Sequence, residues 1–371
     1  MKVNDRYDRY QRQMLLRELG PVGQDQLLSA KVLVVGAGGL GCPALQYLAA
    51  AGIGTIGIVD DDTVSISNLH RQVLYGNDDV GLPKADLAAA SLSRLNPGID
   101  IIPFRCRLTV ENAFDIFRRF DIILDGTDNF ATRYLVNDAC VLLQKPLIYG
   151  AISQFEGQVS VFANKNQNDA NYRDLFPDPP NEDEVLNCAE AGVLGVLPGI
   201  IGTMQANEAI KLITGMGVSL ANRLLTFNAL DNSFYELQIS AGQNSKALIP
   251  ADEIAFRQMN YQWLCSSQPR SSEIDEDEFD ALREQTDVII VDVRELHESP
   301  AVDEFEHRRI PLAQLPSAAA DLNTETIILF CQSGKRSKQA VEILTGLLEK
   351  SQKIYSLKGG IVNWKNQHLA Q

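Results

Sequence analysis

Lys31–Gly41, KVLVVGAGGLG, reads as a buried strand running into a glycine loop. Val32–Val35 carry no polar side chain, as expected of a strand covered on both faces. The loop matches Gly-x-Gly-x-x-Gly at Gly36, Gly38 and Gly41. Such a loop lets the backbone approach phosphates and points helix N-terminal N–H groups at them. It suits a dinucleotide used for hydride transfer and ATP used for cleavage, and the glycines alone leave both open.

The pattern around the loop gives the fold class. Leu40–Ala51 has small and apolar residues at helical spacing, with Pro43 in the first turn where a missing N–H costs nothing. Strands TIGIVD, IDIIPF, DIILD and LIYGAI alternate with the helical runs KADLAAASLSRLN, VENAFDIFRRF and Phe130–Leu143. This alternation predicts a Rossmann-like, mostly parallel α/β sheet. GQVSVF then suits an antiparallel strand, and a helix over Pro198–Thr214 with strands LLTFNAL and SFYELQI closes a domain over 1–245. A linker over 246–271 contains the polar start of SSQPRSSEIDEDE, and a smaller α/β domain follows over 272–371.

Composition narrows the function. A net charge of −15 argues against a general nucleic-acid binder, which needs clustered Lys and Arg. The N-terminus MKVNDRYDRYQRQ has no apolar signal core, and no apolar run approaches the ~20 residues of a membrane span. A cytoplasmic protein without membrane or nucleic-acid partners is expected. The six cysteines form no Cys-x-x-Cys pair, so neither a disulfide framework nor a local zinc site is indicated.

Downstream charges favour ATP. Asp60 ends the second strand where an acid accepts ribose hydroxyls, and Asn68, Arg71, Lys84 and Asp128 follow. Cleaving ATP requires cations beside the phosphates and an acid for Mg²⁺, whereas hydride transfer requires neither. Singly, Arg71 or Lys84 reads better as solvated surface, and Asp128 reads credibly as the N-cap of the helix at Phe130; together they outweigh those readings. His70 suits packing or nucleotide contact.

The motifs RYDRYQRQ, VLVVGAGGLG, DDDTVSISNLHRQ, GTDN, GAISQFEGQVSVF and NCAEAGVLG resemble, in order over residues 5–240, the MoeB/ThiF (HesA) family of ubiquitin-activating-type adenylyltransferases. The resemblance implies that ATP and Mg²⁺ are used to adenylylate the C-terminal glycine of a ubiquitin-like sulfur carrier ending in Gly-Gly. It implies that Gly36, Gly38, Gly39 and Gly41 hold the nucleotide, Asp60 the ribose, Asn68, Arg71 and Lys84 the phosphates, and Asp128 magnesium. Arg12 would reach a neighbour's site, which implies a homodimer. A carrier of the molybdopterin-synthase type is favoured over thiamine-pathway or tRNA-thiolation carriers. An attacking carboxylate is already an anion, so no general base is required. An NAD-dependent oxidoreductase and a non-catalytic carrier-binding module are the rival readings.

Many members of that family bind a structural zinc through two Cys-x-x-Cys pairs. Here the first pair's place reads NYRDLFP, with Asn171 and Asp174, and the segment after the last strand has no pair. No zinc is expected. Cys188, in LNCAEAG, reads either as a small buried residue or, by the resemblance, as a cysteine that some relatives use covalently.

In TIILFCQSGKRSKQA, Cys331 ends a strand and precedes a loop with Gly334, Lys335 and Arg336. Backbone N–H groups, a helix N-terminus and cations favour a thiolate, whose ordinary pKa of about 8.5 can fall by several units. VIIVDVRE, HRRIPLAQL, CQSGKRS and SLKGGIVNW resemble a rhodanese-like domain. That resemblance implies a Cys331 persulfide cradled by Gln332, Ser333, Gly334, Lys335, Arg336 and Ser337, fed by a cysteine desulfurase or thiosulfate. Asp292 and Arg294 read as loop supports or as a structural salt bridge. The two sites together suggest that persulfide sulfur attacks the acyl-adenylate and leaves a thiocarboxylate on the carrier.

Overall fold

Strand β1 (Lys31–Val35) sends Val32 and Val34 into one hydrophobic core and Leu33 and Val35 into another, each at most 2% exposed. A strand with both faces apolar is stable only between two layers, so β1 fixes the middle of a three-layer unit. The computed structural model describes residues 5–166, 169–177, 192–261, 273–285, 287–295, 297–322, 324–345, 347 and 352–368. The chain divides into two compact units, Met1–Cys265 and Ser266–Gln371.

In the first unit β1 is joined by β2 (Thr55–Val59), β3 (Asp100–Phe104), β4 (Ile122–Asp125), β5 (Leu147–Ser153), β6 (Glu156–Phe162), β7 (Arg223–Asn228) and β8 (Ser233–Gln238). Their order is β3-β2-β1-β4-β5-β6-β7-β8. The first five strands are parallel and β6, β7 and β8 are added antiparallel. Helices Gly41–Ala51 and Val196–Thr214 pack on one face, and Phe130–Leu142 contributes to the other core. Chain order reverses between β1 and β4, the switch point at which open α/β sheets leave a crevice for ligands.

The polar segment in the place of a zinc site is held by hydrogen bonds. Asn171 and Asp174 form a capping box, and Asp174 also accepts the Gly242 N–H at 2.6 Å and the Ser245 hydroxyl. One carboxylate thus ties the turn at 171–175 to the segment after β8. Beside it, Arg173 grips Asp138 through Nε at 2.9 Å and Nη2 at 2.8 Å, and the Tyr261 hydroxyl donates to Asp138 at 2.8 Å. The side chains of Arg173 and Asp138 are 2% and 0% exposed. Removing one partner of such a pair strands a buried charge, at a cost of about 3–5 kcal/mol. Asp138→Ala should therefore lower the unfolding temperature of the first unit markedly, whereas a zinc chelator should leave the wild type unchanged. Calorimetry checks both, and chelator-induced melting would sink the zinc-free reading.

Part of the expected linker is folded onto this unit. Phe256, on the helix Glu253–Arg257, and Tyr261 enter its second core, and Phe256 meets Phe114 at 4.8 Å between ring centroids. Two aromatics on a short polar segment make no periodic signal. The polar run 262–272 lies outside the described residues.

The second unit has five parallel strands, β9 (Glu273–Ile274), β10 (Val288–Asp292), β11 (Arg308–Arg309), β12 (Thr326–Phe330) and β13 (Lys353–Leu357), in the order β11-β10-β12-β13-β9. β12 repeats the logic of β1: Ile327 and Leu329 face one core, Ile328 and Phe330 the other. Cys331 follows where this central strand ends.

Candidate nucleotide and sulfur sites

At the switch point the glycine loop is closed on itself. Gly36, at φ +92°, donates its N–H to Val59 O at 2.8 Å, and Gly126, just past β4, donates to Val35 O at 2.8 Å. A Cβ on Gly41 would lie 1.9 Å from Gly36 O, so no other residue fits there. Tyr75 gives its hydroxyl to Ala37 O at 2.9 Å, and the Cys42 thiol donates to the same oxygen at 3.3 Å. Burial pushes the Cys42 thiol up to about 12, so Cys42 is a packing group.

Asp60 faces this loop. Its carboxylate accepts the Ala37 N–H at 2.7 Å and the Asp62 N–H at 2.9 Å, while burial raises its pKa against those bonds. Residues 62–64 pair with 81–84 through Val64 N to Leu82 O at 2.9 Å and Lys84 N to Asp62 O at 3.0 Å. This pairing starts the helix Lys84–Leu95 beside the loop and leaves Lys84 only 5% exposed. The Lys84 ammonium ion-pairs with Asp62, whose carboxyl is partly desolvated yet held below its ordinary value by that bond and the Thr63 N–H. Asn68 ends a short 3₁₀ turn, and its carbonyl accepts from Arg71 N at 3.0 Å and Gln72 N at 2.9 Å. Arg71 lies against Gly39, and Gln72 lies against Gly38 with its side-chain oxygen buried and unpartnered among the described residues.

Asp128 sits on the loop after β4, exposed, two residues from the Gly126 that meets Gly36. The cap of the following helix is Asn129, which accepts the Thr132 N–H at 2.8 Å, so Asp128 is not the N-cap. Three groups without a local sequence signal hold this loop. Asp125, 1% exposed, accepts the Thr127 N–H at 2.9 Å and hydroxyl at 2.6 Å, and burial raises its pKa despite nearby Arg133. Arg133 donates to Thr127 O at 3.1 Å, and Gln205 donates to Asp125 O at 2.7 Å from the helix Val196–Thr214.

The structure therefore gathers Gly36, Gly38, Gly39, Gly41, Asp60, Asn68, Arg71, Lys84 and Asp128 at one end of the parallel strands. Arg12 stands apart, exposed on the turn Gln11–Met14, which Gln13 ties to Ala51 O at 2.9 Å. His70 is exposed and its Nδ1 lies 3.0 Å from Ser67 O. Cys188 lies outside the described residues.

In the second unit Cys331 is 1% exposed. The Ser337 hydroxyl lies 3.6 Å from Sγ, and Ser356 donates to Ser337 at 2.7 Å, both serines fully buried. Gly360, at φ +67°, lets its segment press on the loop: a Cβ there would lie 2.5 Å from Cys331 O, and the Ile361 N–H donates to that oxygen at 2.8 Å. Gln332 and Ser333 line a cleft of about 710 Å³ with Lys358, Gly359 and Asn363. Asp292 and Arg294 form a fully buried pair at 2.7 Å beside Phe330, and Arg294 also donates to Pro300 O at 3.0 Å. Arg336 is paired with Glu298.

Residues 10–248 match the ThiF family and 275–367 the rhodanese-like domain. The sulfur carrier protein adenylyltransferase of Thermus thermophilus is 50% identical over 267 residues, 71% of this chain and 98% of its own length. The probable adenylyltransferase/sulfurtransferase MoeZ of Mycobacterium tuberculosis is 41% identical over 97% of this chain and 93% of its own. The crystal structure of Escherichia coli MccB shares the fold, with TM-score 0.58 and 21% identity over 64% of this chain and 72% of that one. No helix among the described residues is long and apolar enough to cross a membrane. The chain belongs to the ThiF family, as an adenylyltransferase and sulfurtransferase that carries a rhodanese-like domain on the same polypeptide.

Proposed function

We propose that the first unit binds ATP at the β1–β4 switch point and adenylylates the C-terminal glycine of a ubiquitin-like sulfur carrier, and that the second supplies sulfur from a Cys331 persulfide. The observation that carries this reading is the convergence of the glycine loop with Arg71, Lys84 and Asp128. The Gln72 side chain, whose amide nitrogen nears Gly38, keeps a buried oxygen without a partner among the described residues, and this suits a polar ligand at the loop backbone.

In this reading Gly36, Gly38, Gly39 and Gly41 present backbone to the nucleotide, Asp60 accepts the ribose hydroxyls, and Asn68, Arg71 and Lys84 contact the phosphates. The carrier carboxylate attacks the α-phosphate as an anion, pyrophosphate leaves with the bonding electrons, and the cations offset the charge that develops. Asp128, exposed on the rim, fits Mg²⁺, which keeps most of its oxygen ligands from phosphate and water and supplies charge neutralisation when bound. Arg12, exposed on an anchored turn, would complete a neighbour's site in a homodimer.

For sulfur, the Cys331 persulfide attacks the activated carbonyl and AMP leaves. A reductant or a second thiol, for which Cys188 is a candidate, then cleaves the resulting acyl disulfide to give the thiocarboxylate. The donor is a cysteine desulfurase or thiosulfate. Among carriers we favour the molybdopterin-synthase type, with thiamine and tRNA-thiolation carriers as alternatives; the relatives named for sulfur carrier adenylylation and sulfur transfer support the class. The test is ATP–pyrophosphate exchange that requires a carrier ending in Gly-Gly. Exchange without carrier, or none with any candidate carrier, would refute the reading.

A further inference from the structure

The arginine beside Cys331 is already engaged. Arg336 gives Nη1 to Glu298 Oε1 at 2.5 Å and Nη2 to Oε2 at 2.7 Å, so both ends of its fork are occupied. Glu298 is no loose surface acid. Its side chain is 19% exposed, its Oε1 also accepts the Glu295 N–H at 2.8 Å, and its own N–H goes to Glu295 O at 3.1 Å. Arg336, then the Glu295 N–H, hold the Glu298 carboxyl down to about 2, so the pair is ionised at neutral pH. The other loop cation, Lys335, is exposed.

A guanidinium fork is the side chain best matched to planar or clustered oxyanions. Thiosulfate presents sulfonate oxygens and a double negative charge, whereas a persulfide presents only sulfur. To use Arg336, thiosulfate must first displace a bidentate carboxylate. We propose that Glu298 sets the sulfur-donor specificity of this site: by occupying Arg336 it withholds the loop's oxyanion receptor from thiosulfate and favours a persulfide donor. The proposal rests on the reading that Cys331 carries the sulfur.

In the favoured step the Cys331 thiolate attacks the outer sulfur of the donor persulfide. A new S–S bond forms as the donor's S–S bond breaks, the outer sulfur keeps its proton, and the donor sulfur leaves as a thiolate with the electron pair. With thiosulfate the same attack expels sulfite, whose oxygens gain from an available guanidinium. Glu298 acts through Arg336 and is a positioning residue.

The experiment loads the full chain with sulfur from thiosulfate or from an alkyl persulfide that carries no oxyanion group, and follows the gain of one sulfur atom at Cys331 by mass spectrometry. Releasing Arg336 for a charge-assisted contact should raise the ratio of loading rate constants, thiosulfate over persulfide, about tenfold or more in Glu298→Gln. The gain should appear as tighter thiosulfate saturation and not as a faster limiting rate. Glu298→Asp should return the ratio towards wild type, and adding Arg336→Ala to Glu298→Gln should abolish the gain. An unchanged or lower ratio in Glu298→Gln, or a gain that survives the loss of Arg336, overturns the proposal alone. No sulfur at Cys331 from either donor overturns the persulfide reading beneath it, and the proposal with it.

Discussion

Asp128→Ala should lower carrier-dependent ATP–pyrophosphate exchange by about 100- to 1,000-fold, the usual loss when one preorganised electrostatic group is removed from a transition state. Asp128 is exposed and does not cap the helix that follows, so its removal leaves the packing of the loop to Asp125, Arg133 and Gln205. The variant should melt within about 1 kcal/mol of wild type, as surface changes do. A low rate combined with an intact fold would assign the loss to chemistry. Exchange within tenfold of wild type would end the metal-binding role.

Cys331→Ser should reduce sulfur transfer to background while leaving adenylylation intact, because the proposed reading puts the two reactions on the chain's two compact units. Serine removes the thiolate to which the proposal gives the attack on sulfur, and leaves a hydroxyl that cannot form a persulfide. Cys331 sits among Ser337, Ser356 and the segment at Gly360, a polar and close-packed setting in which a small hydroxyl is tolerated. Sulfur incorporation into the carrier at the wild-type rate would remove Cys331 from the mechanism. Of the other described thiols, Cys42 and Cys140 are enclosed in the cores of the first unit, and burial raises the pKa of both and of half-buried Cys106.

The fold was legible wherever one strand carried its own evidence. Val32–Val35 and Ile327–Phe330 are apolar on both faces, and each lies in the middle of its sheet. The glycine spacing placed the first turn; Asp60 arrived beside it at the end of β2, and Lys84 because residues 62–64 pair with 81–84. What stayed hidden depends on distant partners. Asp125 reads as an ordinary strand terminus until Gln205, 80 positions on, reaches its carbonyl. Arg173, Asp138 and Tyr261 come from three segments and share no period. By its place in the loop Arg336 reads as a cation available to the sulfur, and only the fold brings Glu298, 38 positions earlier, onto it. Asp128 was ambiguous between a cap and a ligand, and the neighbouring Asn129 took the cap.

The large sheet also sets a gradient of motion across its width. The amides of β1 lie between two strands and under two cores, so their exchange with solvent waits on unfolding of the unit. At the other margin all six residues of β8 are exposed, including Phe234, Tyr235 and Leu237, and one side of its backbone has no neighbouring strand among the described residues. That margin can fray on its own while the crevice between β1 and β4, separated from the antiparallel additions by β4 and β5, stays shaped. Rigidity is thus concentrated where phosphates would be held, and looseness is kept to an apolar edge.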